Sequence, residues 1–397
     1  MRARSGLQEA EAMHKLLWPT CAAVALHAAL LGAYVAALGG DVSALVCVAA
    51  KRAGRPPYEA ITARFNTKGY DGQFYYALAR NPWQKFPPGI DWAAVRQLRF
   101  LYPALCWALS AGSARLLLWV MPLVNLAAIG GLAWLGGRFA LGRGLSAWWG
   151  FLLPLAVNVG MPALRDLTDP VSTLAVFGLL AAWLGGARAW GVALWAAAAV
   201  FSREQNVAVV GILLVAAAGG RKRVVAAGLA AVLLLWLGWV AGLRAVDGRW
   251  PFPPLRSSFL VHHRLAVPLG GMTERWRHPG SSFRSAAASA VYWVGIMHVM
   301  AQLLLALYVA PLVKSQRVLF AFLLLGAALV ALGGSYLYWD RWSLTRVFVW
   351  LPMGVWLGSV LTRRPWPVVV LAAGVFWPLS SIAWAWAHWA GRLVVRQ

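Results

Sequence analysis

From Leu16 to Gly39 the chain runs for 24 residues without Asp, Glu, Lys or Arg. A helix of that length reaches about 36 Å at ~1.5 Å per residue, enough to cross a hydrocarbon core of about 30 Å. The apolar core of a cleavable signal is shorter, about 7–15 residues. The segment therefore reads as an uncleaved first helix. The polar tail 1–15 carries Arg2, Arg4 and Lys15 and sets its amino end on the cytoplasmic side.

The rest of the chain repeats the pattern. Apolar residues make up 61% of the 397 positions and charged residues only 12%, where a soluble domain carries about 25%. An ordinary soluble enzyme is excluded, and an all-α polytopic membrane protein is left. At ~20 apolar residues per crossing, about 10–12 transmembrane helices are expected. Further helices are expected near 98–112, 115–137, 146–164, 167–186, 189–203, 205–220, 222–246, 285–313, 317–337, 343–362 and 366–389. Two polar stretches interrupt them: a large first non-cytoplasmic loop over 40–98, and a second loop over 247–284. The first is rich in Tyr, Phe and Trp, which argues for short amphipathic helices at the membrane surface rather than disorder. With no internal repeat, residues 16–397 read as a single membrane domain.

The charges are lopsided, 36 basic against 12 acidic, for a net +24. No hydrophilic domain is large enough to use that charge on nucleic acid. Its distribution has a simpler origin. Five turns are purely basic: Arg138/Arg143, Arg188, Arg221-Lys222-Arg223, Lys314/Arg317 and Arg363-Arg364. The alternate turns hold Asp166 and Asp169, Glu204, Asp247 and Glu274, and Asp340. The positive-inside rule makes the basic set cytoplasmic and puts every acid after residue 100 on the opposite face. The tail and first loop fit this orientation if 98–112 is a partial or re-entrant segment rather than a full crossing. Most of the 25 Trp residues lie near segment ends, as interfacial belts do. Cys21, Cys47 and Cys106 follow neither a disulfide nor a zinc-ligand spacing.

The densest polar feature is Lys68-Gly69-Tyr70-Asp71-Gly72-Gln73-Phe74-Tyr75-Tyr76. Glycines on both sides of Asp71 suit a turn that projects one carboxylate. Two readings stay open: a general base acting on an acceptor hydroxyl, or a cap for the helix that starts at Gln73. Arg96-Gln97-Leu98-Arg99 offers guanidiniums either to a phosphate or to the interface. Asp166-Leu167-Thr168-Asp169-Pro170 opens a helix with two carboxylates where a cap needs one. Arg203 and Glu204 lie between apolar segments, where charges are costly; they serve a site or neutralise each other. Tyr336, Tyr338, Asp340, Arg341 and Arg346 share the same face. His262-His263-Arg264 and Arg275-Trp276-Arg277-His278 add cations, and no ligand spacing marks zinc there.

With the first helix, the aromatic loop and Asp71 aligned, the chain resembles the GT-C superfamily of integral-membrane glycosyltransferases, nearest to its mannosyltransferase-like and uncharacterised bacterial branches. The features are the loop Tyr70-Asp71-Gly72-Gln73-Phe74-Tyr75, the Arg99–Pro103 lead into the next helix, Asp169-Pro170 and Arg203-Glu204. The resemblance implies transfer of a sugar from a polyprenyl-phosphate donor to an acceptor on the non-cytoplasmic face, in a bacterial inner membrane. It makes Asp71 the catalytic base and Arg99, Arg203 and Arg346 the donor-phosphate ligands. Asp166, Asp169, Gln73 and Tyr75 would then shape the acceptor side. Gly72-Gln73 stands where relatives often carry a second acid, so a divalent metal is neither required nor excluded, and no metal ligand is assigned. The expected partners are the lipid-linked sugar donor and membrane lipid. Two other classes compete: a transporter or flippase for an anionic or lipid-linked substrate, disfavoured by the lack of a repeat, and a non-catalytic membrane subunit.

Overall fold

The structure, a computed structural model, describes residues 2–63, 69–83, 93–220, 222–248, 250–252, 269–270, 286–333, 338 and 349–389. Among them it is helical throughout, without strands. Helix α1 (Arg2–Ala37) takes in the polar tail as its first turns. After a 3-10 turn at Val42–Val46 come α2 (Gly72–Arg80), α3 (Ala93–Gln97), α4 (Leu101–Ser110) and α5 (Ala114–Leu141). Then follow α6 (Trp148–Ala156), α7 (Gly160–Ala163), α8 (Asp169–Leu184), α9 (Ala189–Ser202), α10 (Val207–Gly219) and α11 (Arg223–Asp247). The carboxyl-terminal part holds α12 (Ala286–Leu312), α13 (Arg317–Leu332), α14 (Trp350–Thr362), α15 (Trp366–Ala372) and α16 (Phe376–Trp389).

Among the described residues, five segments are long and apolar enough to cross a membrane: Glu11–Ala37, Ala114–Leu141, Arg223–Asp247, Tyr292–Leu312 and Trp366–Trp386. Further apolar helices of 10–17 residues, α8, α9, α13 and α14 among them, pack between these. The outward side chains are apolar too: Leu234 and Leu235 on α11, Trp190 and Leu194 on α9, and Met297 and Leu304 on α12 are all exposed. Water would not tolerate so much contiguous apolar surface, whereas lipid tails would. The chain is a helical membrane protein.

Without a hydrophobic drive between helices in lipid, close packing has to hold them together, and small residues allow it. At the α5–α6 crossing a Cβ on Gly150 would overlap the Ala133 carbonyl oxygen and come within 2.5 Å of the Gly137 backbone nitrogen. A Cβ on Gly137 would in turn lie 3.0 Å from the Ala147 carbonyl oxygen. The two backbones touch there, and α5 goes on to pack against α1 and α8.

Two elements differ from the sequence expectation, the helix over 146–164 and α2, while the shortness of α4 agrees with the partial segment expected over 98–112. The helix expected over 146–164 breaks at Asn158, whose φ is +55°, because Pro162 has no N–H to donate back to residue 158. Helix α4 has 10 residues, about 15 Å or half a crossing. Ala111 (φ +49°) and Gly112 (φ +70°) end it and turn the chain into α5. Finally, α2 does not lie on a surface: Gly72 through Ala79 are buried. The helix is tied in at both sides, its Tyr76 hydroxyl donating to the Ala114 carbonyl at 2.9 Å and its Gln73 carbonyl accepting from the Tyr58 hydroxyl of the preceding segment at 3.1 Å. The described part of the first loop thus packs around α2. The second loop, with His262, His263, Arg264, Glu274 and Arg275–His278, lies outside the described residues except at 247–248, 250–252 and 269–270.

Acidic and basic turns alternate along the antiparallel run. Helix α8 starts at Asp169, and Arg188 follows its far end; α9 returns to Arg203, and α10 leads from Glu204 to Lys222. At the basic end Arg143 donates to the Leu184 carbonyl at 3.3 Å and Arg363 to the Arg143 carbonyl at 3.1 Å, so three turns meet.

Gly150→Leu is expected to force α5 and α6 apart and to destabilise the protein by about 1–3 kcal/mol or more. Gly238→Ala, where nothing lies within 4 Å of the added carbon, should leave the thermal midpoint in detergent unchanged or slightly raised. Equal effects of the two substitutions would refute the close crossing.

Candidate functional site

The Asp71 turn is clamped between two backbone segments. Tyr70 N–H donates to the Cys47 carbonyl at 2.9 Å. Gly69 has φ +74°, and a Cβ there would sit 2.7 Å from that carbonyl and 2.8 Å from Ala49 N. A Cβ on Gly72 would overlap the Arg165 carbonyl oxygen and lie 2.9 Å from that of Val46. Gly69 therefore meets both a left-handed backbone and a close approach, and Gly72 the approach alone. Asp71 sits at the N-cap position of α2, but its side chain makes no capping hydrogen bond. The capping reading is set aside.

The Asp71 carboxylate instead meets Arg96, Oδ2 to Nη1 at 2.9 Å, with the Asp71 side chain 19% exposed. Arg96 also lies over the Phe74 ring, 4.7 Å from its centroid, and Arg52 approaches the same ring at 5.8 Å. Arg52 donates to Gln73 Oε1 at 3.1 Å. Arg165 covers the Tyr70 ring at 4.9 Å. Three guanidiniums thus gather on the segment Tyr70–Phe74, which carries one carboxylate.

A second set continues from the first. Residues 71 and 75 are one turn apart at the start of α2, and residues 96 and 99 are three apart, so the two rows run side by side. Arg99 Nη1 donates to the Tyr75 hydroxyl at 2.7 Å. Its Nε and Nη2 form a fork on Glu204, at 2.8 and 2.7 Å. The neighbouring Arg203 pairs with Asp169, and both side chains are buried. Arg203 and Glu204 therefore do not pair off with each other; each reaches a different element. Asn206 secures the same break between α9 and α10, donating to the Ser172 hydroxyl at 2.9 Å and accepting from Trp350 Nε1 at 3.2 Å. Burial raises the Glu204 carboxyl, but the charge and hydrogen bonds of Arg99, with the charge of Arg203, outweigh it and hold Glu204 down at about 2.

The sequence-derived residues thus fall into three groups. Asp71, Gln73, Tyr75, Arg99, Asp169 and Arg203 join one polar row. Arg99 and Arg203 were expected to wait for a donor phosphate; each is engaged by a carboxylate, whereas Arg96 meets Asp71 and Arg52 and Arg165 meet its neighbours in the segment Tyr70–Phe74. Asp166 stands apart, with 0% exposure and both carboxylate oxygens lacking a hydrogen-bond partner. Burial pushes its carboxyl well above the usual range. Arg346, Asp340, Arg341, Tyr336 and Lys68 lie outside the described residues. Among the described residues no group of three or more His, Cys, Asp or Glu side chains is placed to hold a metal ion.

Leaving a buried charge without its partner typically costs about 3–5 kcal/mol. Arg203→Ala should lose about that much stability, and Arg203→Met combined with Asp169→Leu should recover most of it in detergent unfolding. A single variant as stable as the double variant would count against a buried pair. The depressed Glu204 carboxyl has a defined pH signature. Its stabilisation is complete above the ordinary value of 4.5 and is lost as pH falls toward about 2. Glu204→Gln should flatten the acid limb of the stability profile across that window; an unchanged limb would show that other groups set it. No protein-family model, curated protein or solved structure matches this chain.

Proposed function

We propose that the chain is a GT-C-type glycosyltransferase of about 10–12 transmembrane helices, acting at the non-cytoplasmic face of a bacterial inner membrane on a polyprenyl-phosphate sugar. The observation that carries this reading is the convergence of Arg96, Arg52 and Arg165 on the turn that presents Asp71. A carboxylate set beside several guanidiniums suits a reaction that needs a base and an anionic leaving group together.

In that reaction Asp71 takes the proton of an acceptor hydroxyl. The hydroxyl oxygen attacks the anomeric carbon, and the bond from that carbon to the phosphate oxygen breaks. The electron pair leaves on the polyprenyl phosphate, and configuration inverts. Arg96 holds Asp71 at 2.9 Å and places its positive charge beside the departing phosphate. The aromatic surround of Tyr70 and Phe74 stacks with guanidiniums and limits water. Arg99 and Arg203, paired with Glu204 and Asp169, fix the frame on which α2 sits.

Purified protein supplied with polyprenyl-phosphate sugars and hydroxyl acceptors should transfer the sugar. Asp71→Asn should lower the rate by about 10²–10⁴-fold, the usual contribution of a general base, and Arg96→Lys by less. Full activity in Asp71→Asn would remove the base. Solute movement across proteoliposomes without covalent change would replace the reading with transport.

A further inference from the structure

The basic end of the bundle holds a second built feature, at the corner between α14 and α15. Pro365 disfavours helical backbone at Arg364, and α14 stops at Thr362. Arg363 takes the left-handed conformation, φ +56°, where a helix end usually places glycine or asparagine. The N–H groups of Arg363 and Arg364 close the helix on the Val360 and Ser359 carbonyls, at 3.3 and 3.0 Å. Both side chains are exposed, and both are fixed. Arg363 Nη2 donates to the Arg143 carbonyl at 3.1 Å. Arg364 donates through Nη1 to the Tyr308 hydroxyl of α12 and lies over that ring, 5.7 Å from its centroid.

Among the described residues neither guanidinium meets a carboxylate. The positive-inside tendency accounts for cations at this end of the bundle. It asks nothing of their geometry, and like charges left to themselves splay into water. Here neutral acceptors, a backbone carbonyl and a phenol, hold them instead. A guanidinium has five N–H donors, so most of those on Arg364 stay open to a ligand, and phosphate suits that planar fork. An apolar shelf adjoins it. Leu304, Tyr308 and Leu312 recur at every fourth position, which sets them on one face of α12, and all are exposed. The Tyr308 ring meets Trp366 of α15 at 5.0 Å between centroids, and Trp366, Val369 and Val370 are exposed as well. Phosphate donors beside an outward apolar shelf match a phospholipid, whose headgroup and chains would take the two in turn. Two uncompensated positive charges favour a headgroup with net negative charge over a zwitterionic one.

We propose that Arg364, set on Tyr308 and Trp366, binds the phosphate of an anionic phospholipid, and that Arg363 supplies a second positive charge at the same corner. The lipid chains lie along α12 and α15. The site takes no residue from the Asp71 row and does not depend on the sugar-transfer reading.

The test is thermal unfolding of the full chain in uncharged detergent, titrated with phosphatidylglycerol, with phosphatidylcholine of the same chains, or with soluble glycerol phosphate. Phosphatidylglycerol should raise the midpoint saturably, as a ligand of the folded state does, and the other two should not. Arg364→Gln should raise the half-saturating phosphatidylglycerol concentration about tenfold or more, the loss of a charged hydrogen bond. Arg363→Gln should raise it by less. Tyr308→Phe removes the hydroxyl that holds Arg364 and should act in the same direction; it keeps the test decisive if Arg364→Gln does not fold. Arg188→Gln with Arg223→Gln removes two exposed cations from other basic turns and should leave the response unchanged. An equal response to phosphatidylcholine would overturn the proposal, and so would an equal response to glycerol phosphate, which would mark a site for free phosphate. A loss in the Arg188/Arg223 double variant as large as in Arg364→Gln would show diffuse charge attraction and would overturn it too.

Discussion

A guanidinium inside an apolar bundle has to meet a carboxylate, and in this protein that requirement joins elements far apart in sequence. Arg99 reaches Glu204 across 105 positions, and Arg203 reaches Asp169 across 34. The first contact ties the segment after α3 to the break between α9 and α10. The second ties that break to the start of α8. Helix α2 joins through Tyr75, which accepts from Arg99. The Asp71 turn is positioned because this network fixes the helix behind it, and because two glycines let neighbouring backbones close upon it.

The same requirement separates framework from chemistry. Arg99 and Arg203 are each engaged by a carboxylate and balance charge locally. The segment that carries Asp71 is different, gathering the guanidiniums of Arg52, Arg96 and Arg165. Asp166 is the opposite case, an acid with no guanidinium partner among the described residues. These three environments follow from where the backbone carries each residue, since the side chains themselves are of only two kinds.

Much of the architecture could be read from segment lengths and charge placement. The expected helices at 189–203, 205–220 and 222–246 match α9, α10 and α11 to within a few residues, because charged turns bound each apolar run on both sides. The break at Asn158 was missed because an apolar count does not register the donor that Pro162 lacks. The burial of α2 was missed because its Tyr and Phe residues suit an interface as well as a core, until Tyr58 and Tyr76 are seen to donate inward. At the site, adjacency misled: Arg203 and Glu204 are neighbours in the chain, yet the extended backbone at Arg203 (φ −163°) sends them to different partners. Arg52 and Arg165 carried no signal, since each is an ordinary basic residue near a turn.

By itself the sequence determined that the chain must live in a membrane as a helical bundle, since apolar runs of this length with so few charges leave no soluble alternative. It also marked Asp71 as a presented carboxylate, because glycines on both sides of an acid are rarely neutral. Only the tertiary structure decided which arginine serves which acid, and that Asp166 has no guanidinium partner among the described residues. Pairing is a matter of distances of a few ångströms between side chains, and those are set by how helices cross rather than by where residues stand in the chain.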